Sequence, residues 1–197
     1  MIRRIGFVIA LAALCATSNA YAAFTGDRVG KWDIGVNVSG AIPTDGDVDS
    51  AAYIGGSLSY GVQEWFALGF EAGWAGFGES DAGINVDEDA VPIFGDLIFR
   101  FPTSSEWKPY AIVGLGVIVW NVDSNIPGLD LEIDTAFAAK FGGGVDYFVN
   151  DNWALNFEFS YVTSDADATA TLNGTSVSAS GSTDYWMVGG GLKYLFS

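Results

Sequence analysis

Eight extended segments of the chain alternate apolar and polar residues, and none of them has a helical period. They span 31–42, 51–62, 65–76, 90–101, 108–120, 135–148, 153–162 and 185–196. In WALNFEFSYV, residues 153–162, leucine, phenylalanine and tyrosine share one face, and asparagine, glutamate and serine share the other. Alternation over about ten residues is typical of a β-strand that is long enough to cross a membrane at a tilt. The sequence therefore predicts an all-β protein.

The two faces of these segments differ in a way that does not suit a water-soluble sheet. In AKFGGGVDYF, residues 139–148, one face is apolar and the other is mostly glycine, with Lys140 and Asp146 as its charged members. A water-soluble sheet buries its apolar face and exposes a polar one, but this second face is too small and too sparsely charged. We therefore expect the apolar face to point outward into lipid and the glycine-rich face to line a narrow lumen.

The segment KPYAIVGLGVIVW, residues 108–120, is apolar on both faces, so alternation alone does not orient it. Placing the odd-numbered residues from Val113 to Val119 outside leaves Gly114 and Gly116 inside with the other small residues. We predict this orientation because the interior of an eight-stranded barrel has room for few large side chains.

The connections between the segments are short and long in turn. The short ones lie at 63–64, 102–107 and 149–152, and the long ones lie at 43–50, 77–89, 121–134 and 163–184. The long connections contain most of the acidic residues, and Asn173-Gly174 in the last of them predicts a hairpin turn that extends the last two strands above the membrane. Short turns at one rim and long polar loops at the other indicate an eight-stranded antiparallel up-and-down transmembrane β-barrel, with both chain ends at the periplasmic side.

All seven tryptophans fall near the ends of the predicted strands. Those near the short turns are Trp32, Trp65, Trp107 and Trp153, and those near the long loops are Trp74, Trp120 and Trp186. An indole ring has an apolar body and a polar N–H, which suits the boundary between lipid and water. We predict two belts of lipid-interface aromatics, the alternative being aromatic rings that close the ends of a water-soluble barrel.

The first 22 residues have the features of a cleaved secretory signal. Two arginines precede an apolar run that ends at Leu14, and Ala20-Tyr21-Ala22 forms a cleavage site. The run is about half of the ~20 residues that a membrane-spanning helix needs. We expect residues 1–22 to be removed on export to the outer membrane of a Gram-negative bacterium, and residues 23–197 to form one barrel domain.

The charge of the expected mature chain is strongly negative. Two of the eight basic residues lie in the signal, which leaves six basic against 24 acidic residues and a net charge of −18. Such a surface repels phosphate backbones, so nucleic acid is excluded as a partner. The only cysteine, Cys15, also lies in the signal, so the mature chain has no disulfide and no thiolate chemistry.

Three stretches carry a resemblance to a known family. They are KPYAIVGLGV (108–117), GGGVDYFVNDNWALNFEFSY (142–161) and the closing GLKYLF (191–196). They resemble small outer-membrane barrels of the OmpA transmembrane-domain type, with a weaker likeness to OmpW. The resemblance implies outer-membrane lipids and the barrel assembly machinery as partners. It also implies an assembly signal in the last strand, which Gly191, Tyr194 and Phe196 match, although Ser197 follows where the aromatic residue is usually final.

The sequence contains few residues that would support catalysis or metal binding. The family that the chain resembles includes barrels that modify lipids or cut proteins, and these use a histidine in catalysis. This chain has no histidine. Without an imidazole or a thiol, only a lysine- or aspartate-based site could act, so we expect no enzyme activity and no cofactor. DGDVDS, 45–50, begins like a calcium loop, but Ser50 and Gly56 replace the glycine and glutamate that such a loop needs. We expect a solvated acidic loop and no metal site.

Six charged residues are expected to form a network inside the lumen. They are Glu71, Asp96, Arg100, Lys140, Glu158 and Lys193. We expect Arg100 to pair with Asp96 and Glu71, and Glu158 to pair with a lysine, because unpaired charges are costly in a narrow interior. The resemblance to the OmpA type implies that such a network acts as a plug. On this view Glu158→Ala frees a lysine, costs about 2–4 kcal/mol of stability and opens conductance.

Two functions fit these features. The first is a non-catalytic envelope and surface protein whose acidic loops meet divalent cations or surface ligands. The second is a narrow channel for small solutes or ions across the outer membrane. A water-soluble ligand-binding barrel is a third class, but it leaves the tryptophan belts unexplained. The first function is favoured because eight strands enclose little open lumen.

Overall fold

A computed structural model describes residues 28–44, 50–81, 84–124, 129–172 and 175–197 of the chain. Its regular structure consists of antiparallel β-strands. They are β1 (Trp32–Pro43), β2 (Ala51–Gln63), β3 (Phe66–Asp81), β4 (Ile84–Arg100), β5 (Trp107–Ser124), β6 (Leu129–Ile133), β7 (Ala136–Phe148), β8 (Trp153–Leu172) and β9 (Thr175–Phe196). The described residues include no helix long and apolar enough to span a membrane. The expected signal, residues 1–22, lies outside them.

The sheet closes on itself as a barrel. β9 pairs with β8 on one side and with β1 on the other, where the register runs from Trp32–Phe196 to Pro43–Tyr185. β6 and β7 together occupy one strand position, because both pair with β8 and only two residues separate them. The N–H of Asp134 donates to the carbonyl of Asp167 (2.9 Å) across this break. The predicted eight-stranded antiparallel up-and-down barrel is therefore confirmed.

The strands continue well beyond the segments that the alternation predicted. The expected loops at 77–89 and 163–184 are largely strand, since β3 and β4 pair as far as Asp81–Ile84, and β8 and β9 as far as Leu172–Thr175. The extension of the last two strands agrees with the prediction from the Asn-Gly turn. The extension over 77–89 was not predicted, because polar residues and small side chains can sit on both faces of a hairpin that stands in water.

The faces of the strands are reversed relative to a water-soluble sheet. Val36 and Val38 of β1 are 64% and 60% exposed, whereas Asp33 and Ser39 on the other face are 3% and 8% exposed. Charged side chains are buried in this way when they find partners inside. The exposed apolar face is the one that contacts lipid in an outer-membrane barrel.

β5 has the predicted orientation. Its odd-numbered residues from Val113 to Val119 lie on the exterior, and its neighbours Ile112 and Ile118 are buried inside. A Cβ atom on Gly114 would lie 3.3 Å from Cε of Lys140, so glycine at this position leaves room for a buried lysine.

Aromatic pairs mark both ends of the exterior. Near the short turns, ring centroids are 4.9 Å apart in Trp32–Tyr60, 4.6 Å in Trp107–Tyr147 and 4.7 Å in Trp153–Tyr194. Near the opposite rim, Trp186 lies 4.7 Å from Tyr161 and 4.9 Å from Phe159. Trp65 and Trp74 are also exposed on the exterior, 50% and 46% respectively.

Trp120 does not belong to these belts, and its predicted place at the lipid interface was wrong. It is half-buried and packs against apolar residues of the interior. The reason is the parity of β5: with Val119 on the exterior, the next residue along an alternating strand points inward.

Candidate functional site: the barrel interior

Lys140 lies at the centre of the interior with none of its surface exposed. β7 presents its side chain inward, and Nζ donates to Glu71 (2.6 Å) on β3 and to Asp96 (3.2 Å) on β4. Glu71 also accepts hydrogen bonds from the hydroxyl of Tyr53 (2.8 Å) and from Nδ2 of Asn37 (3.3 Å). Every charge at this level is therefore paired across the lumen.

A second group of charges lies nearer the periplasmic end. Asp33 of β1 accepts from Arg100 of β4 (3.0 Å) and from Ser59 of β2 (2.7 Å). Asp146 of β7 accepts from Arg28 (3.0 Å) and from Lys193 of β9 (3.0 Å). Arg100–Asp33 and Lys193–Asp146 join strands that are not neighbours in the wall, whereas Ser59–Asp33 joins the adjacent strands β1 and β2.

Arg28 reaches this group from an N-terminal arm, residues 28–31, that precedes β1. Gly30 adopts a positive φ of 74° there, and its N–H donates to the carbonyl of Gly61 (2.7 Å). The turn brings Arg28 under the barrel, where it is 5% exposed and its guanidinium lies 5.0 Å from the ring of Phe148. The arm thus covers the periplasmic mouth.

Glu158 is linked to the periplasmic group of charges through Tyr110 and Asn156. The hydroxyl of Tyr110 donates to Glu158 (2.7 Å), and Asn156 donates to Tyr110 (2.9 Å) and to Asp146 (2.8 Å). Lys193 lies 4.7 Å from the centre of the Tyr110 ring. Glu158 is thereby held by a neutral hydroxyl.

The polar interior is nearly full. One cavity of about 30 Å³ lies among Asp33, Asn37, Glu71, Asp96 and Glu158. That volume is enough for roughly one or two water molecules. Four basic side chains and five carboxylates share this part of the lumen, so ions meet fixed charges and packed side chains instead of an open path.

The extracellular half of the interior has the opposite character. Its buried apolar residues form one cluster, and the buried polar residues beside them are the uncharged Ser39, Ser160 and Ser164. The cluster consists of Ala41, Ala51, Tyr53, Ala75, Ala90, Phe94, Ile118, Ala138, Val162, Tyr185 and Met187. Ile118 and Val162 have no exposed surface at all. The interior therefore changes from ionic to apolar along the barrel axis.

The barrel wall beside this apolar cluster lacks a ladder. β5 pairs with β7 from Trp107–Tyr147 to Ile118–Ala136, and β6 pairs with β8. Among the described residues, no backbone ladder joins 119–124 of β5 to β6. We call this stretch the β5–β6 seam, and its lower end is lined inside by Ile118 and Ala136, both buried.

All six residues predicted for the charge network point into the lumen, but three of the expected partners were wrong. Arg100 pairs with Asp33 and not with Asp96 or Glu71. Lys193 pairs with Asp146 and not with Glu158. The register explains the second error, because Glu158 lies opposite Gly189, four residues and about 13 Å along β9 from Lys193.

The prediction that Glu158→Ala frees a lysine was also wrong. Lys140 is bound by Glu71 and Asp96 and Lys193 is bound by Asp146, so the substitution removes an acceptor of Tyr110 and frees no lysine.

Several members of the network were not predicted from the sequence. Asp33 and Asp146 were visible as charges on the small-residue face, but their partners depend on the register between strands. Tyr53 and Tyr110 resemble interface aromatics in sequence, although they are 2% and 4% exposed inside the barrel. Arg28 lies before the first alternating segment, where no periodic signal exists.

The residues of the expected assembly signal lie on the closing strand. Phe196 pairs with Trp32 where β9 meets β1, and Tyr194 and Phe196 have ring centroids 6.3 Å apart on the exterior. Gly191 faces the interior, where a Cβ atom would lie 3.0 Å from the Cα of Asn37. Their role in assembly stays a prediction.

Within the part of the chain that the structure describes, no group of three or more acidic residues is arranged to hold a metal ion. Most of the acidic loop at 45–50 lies outside those residues. No histidine or thiol is present in the barrel to add to such a site.

The profile of a known family, described as "Outer membrane protein beta-barrel domain", matches residues 8–181. The chain belongs to this family and resides in the outer membrane of a Gram-negative bacterium. It is 25% identical to outer membrane protein AlkL of Ectopseudomonas oleovorans, over 92% of this chain and 81% of that protein. It is 27% identical to an uncharacterized outer-membrane protein, y4mB, of Sinorhizobium fredii, over 51% of this chain and 44% of that one.

Solved structures agree on the fold. The crystal structure of OprG from Pseudomonas aeruginosa superposes with a TM-score of 0.71 at 17% identity, covering 87% of this chain and 98% of that one. The alignment includes nearly the whole of that small barrel.

Proposed function

We propose that this protein is a non-catalytic outer-membrane barrel that lets small apolar molecules pass from outside the cell into the membrane. In this proposal the periplasmic half of the lumen is closed, and the apolar extracellular half opens sideways through the β5–β6 seam. The observation that carries it is the apolar cluster lying directly beside a stretch of described wall without a ladder.

The closed periplasmic half supports this route over a channel for ions or polar solutes. A solute moving along the axis would have to displace paired, buried charges such as Lys140 and Asp146. Breaking a buried ion pair costs about 3–5 kcal/mol. An apolar molecule that leaves sideways above Lys140 avoids this cost.

The apolar lining supports the choice of cargo. Phe94, Ile118 and Val162 offer no charge and no hydrogen-bond donor to a polar molecule. An apolar molecule gains about 25 cal/mol for each Å² of its surface that leaves water. At the lower end of the seam the exterior residues Val117 and Phe137 are apolar and exposed, so a molecule that leaves there meets the apolar outer face of the barrel.

The seam is tested by closing it with a disulfide. Because the mature chain has no cysteine, the double variant Asn121→Cys/Ile133→Cys introduces one pair only. These positions would face each other if the Ile118–Ala136 register continued across the seam. We expect oxidation to reduce uptake of radiolabelled toluene by intact cells to the level of cells without the protein, and reduction of the disulfide to restore it.

A matched control is available at a wall position that already has a ladder. Val38→Cys/Ile54→Cys joins β1 and β2 at a paired position on the exterior. Its oxidation should leave uptake unchanged. Equal uptake with the β5–β6 disulfide formed would show that apolar molecules do not use this seam.

The envelope and surface role is a second candidate, and the length of the β8–β9 hairpin favours it. Its ladder continues past the Tyr161–Trp186 pair to Leu172–Thr175, about 35 Å along the strands. A hairpin of this length presents a surface to neighbouring molecules. Divalent cations at the acidic loops are part of this candidate, and loss of surface binding after shortening the hairpin tests it.

The proposal also concerns catalysis and the subfamily of the barrel. The absence of histidine from the sequence supports a non-catalytic barrel. Membership of the OmpA type within the outer-membrane barrel family stays a prediction.

A further inference from the structure

We propose that the extracellular part of β9, residues 175–183, is a binding edge for an extended peptide that carries lysine or arginine at alternate positions. The peptide would add a strand to the sheet beside β9. This inference does not depend on the proposed route for apolar molecules, since it concerns backbone groups in the part of β9 that extends beyond the outer surface of the membrane.

The backbone of this stretch is open on one side. β1 ends at Pro43, opposite Tyr185, and no described strand pairs with 175–183 on that side. The connection 44–50 has seven residues, so its length allows it to pass only about the first three residues of the edge before returning to Ala51. Most of the edge therefore lies beyond the reach of that connection.

The direction of the open groups follows from two hydrogen bonds. The carbonyl of Asp184 points to β1, because it accepts from the N–H of Thr44 (2.9 Å). The carbonyl of Thr183 points to β8, because it accepts from Oγ of Ser164 (3.2 Å). Backbone groups alternate sides along a strand, so the even-numbered residues of the edge direct N–H and C=O away from β8. These residues are Ser176, Ser178, Ser180 and Ser182.

The edge has none of the features that prevent strand addition. Natural edge strands are protected by lysine, proline, bulges or short length. The segment TSVSASGST contains no charge and no proline, and its pairing with β8 runs without a shift in register. An unprotected edge of this length is suited to binding another strand.

The chemistry of the partner follows from the charges beside the edge. Asp165 and Asp167 of β8 lie directly opposite Ser182 and Ser180 on the same face of the sheet, and both are exposed. The serines are short, so a lysine of an added strand can lie across them and reach these carboxylates. Opposite charges on neighbouring strands stabilise a sheet.

A second copy of the chain is a poorer partner. The basic residues of the expected mature chain lie in the lumen or towards the periplasmic rim; they are Arg28, Lys31, Arg100, Lys108, Lys140 and Lys193. Two copies would therefore bring like charges together at this edge. A cationic strand from a different molecule brings the complementary charge.

The test measures binding of a synthetic peptide of alternating lysine and threonine to the mature protein in detergent. We expect binding that weakens as salt is raised. Ser180→Pro removes a backbone N–H that points away from β8, and should weaken binding by about tenfold or more while the barrel stays folded. Ser180→Ala keeps the N–H and should bind as the wild type does.

Two further variants separate backbone pairing from charge. Asp165→Asn/Asp167→Asn should weaken binding of this peptide and reduce its salt dependence. The same peptide with N-methyl groups on alternate residues should not bind. Equal binding by wild type and Ser180→Pro would overturn the proposal. A dimer in sedimentation that Ser180→Pro abolishes would replace the peptide by a second copy and equally overturn it.

Discussion

Lys140 shows how this barrel tolerates charges in its interior. Its side chain is completely buried, and Glu71 and Asp96 hold its amine from the opposite wall. The neighbouring glycine at position 114 provides the space. Burying such a group costs several kcal/mol unless its partners and hydrogen bonds are complete, so the substitution of one member affects the others.

We expect Lys140→Met to lower the free energy of unfolding by about 3–5 kcal/mol. Methionine fills a similar volume but leaves two carboxylates buried without their cation. Urea titration of the refolded protein, read by the heat-dependent gel shift, measures the change. Glu158→Gln is the control, because Tyr110 can still donate to the amide oxygen, and it should cost less than about 1.5 kcal/mol. Equal losses for both variants would contradict the ion-pair description.

For single residues, the sequence predicts which side chains face inward but not which side chains pair with each other. Alternation places Glu71, Asp96 and Lys140 on the interior face, because each is flanked by lipid-facing apolar residues. Their pairing depends on the tilt and stagger of the strands, because a shift of one residue in register moves a side chain by about 3.3 Å along its strand. Arg28 has no alternation around it and could not be found in this way.

Among the elements, β9 has three roles along its length. Residues 185–196 pair with β1 and close the barrel, Lys193 in this part points into the lumen, and residues 175–183 form the open edge. This closure joins the first and the last described strands. Phe196 lies at that point, beside Trp32 in the register.

We expect Phe196→Ala to reduce the amount of folded barrel in the membrane by about half or more, because the substitution removes an exterior aromatic and a residue of the expected assembly signal. The heat-dependent gel shift of membrane fractions measures the folded share. Val177→Ala, also exposed but at the distant end of β9, is the control. An unchanged folded share for Phe196→Ala would show that the signal is not used at this position.

Element positions were predictable where lipid imposes alternation, and less so above the membrane. Segments such as 153–162 alternate because one face meets lipid and the other meets the lumen. Beyond Ser164 the described side chains on both faces of the β8–β9 hairpin are exposed or partly exposed, so the apolar signal ends while the backbone ladder continues. The break between β6 and β7 likewise leaves no mark in composition.

For the whole molecule, the interior is divided into a charged periplasmic half and an apolar extracellular half. The exterior is apolar in both halves, as a lipid-facing surface requires. Together these features describe a barrel that spans the membrane, and we expect its paired, buried charges to close it to ions. The proposed sideways route for apolar molecules depends on this closure.

The closure is tested most directly by planar-bilayer recording of the refolded wild-type protein, with folding verified by the heat-dependent gel shift. A general porin in the same bilayer shows that channels would be detected. We expect a current that stays at baseline, because the periplasmic half is filled by the Arg28, Lys140 and Lys193 ion pairs. Stable conductance steps that are open for most of the recording would contradict it.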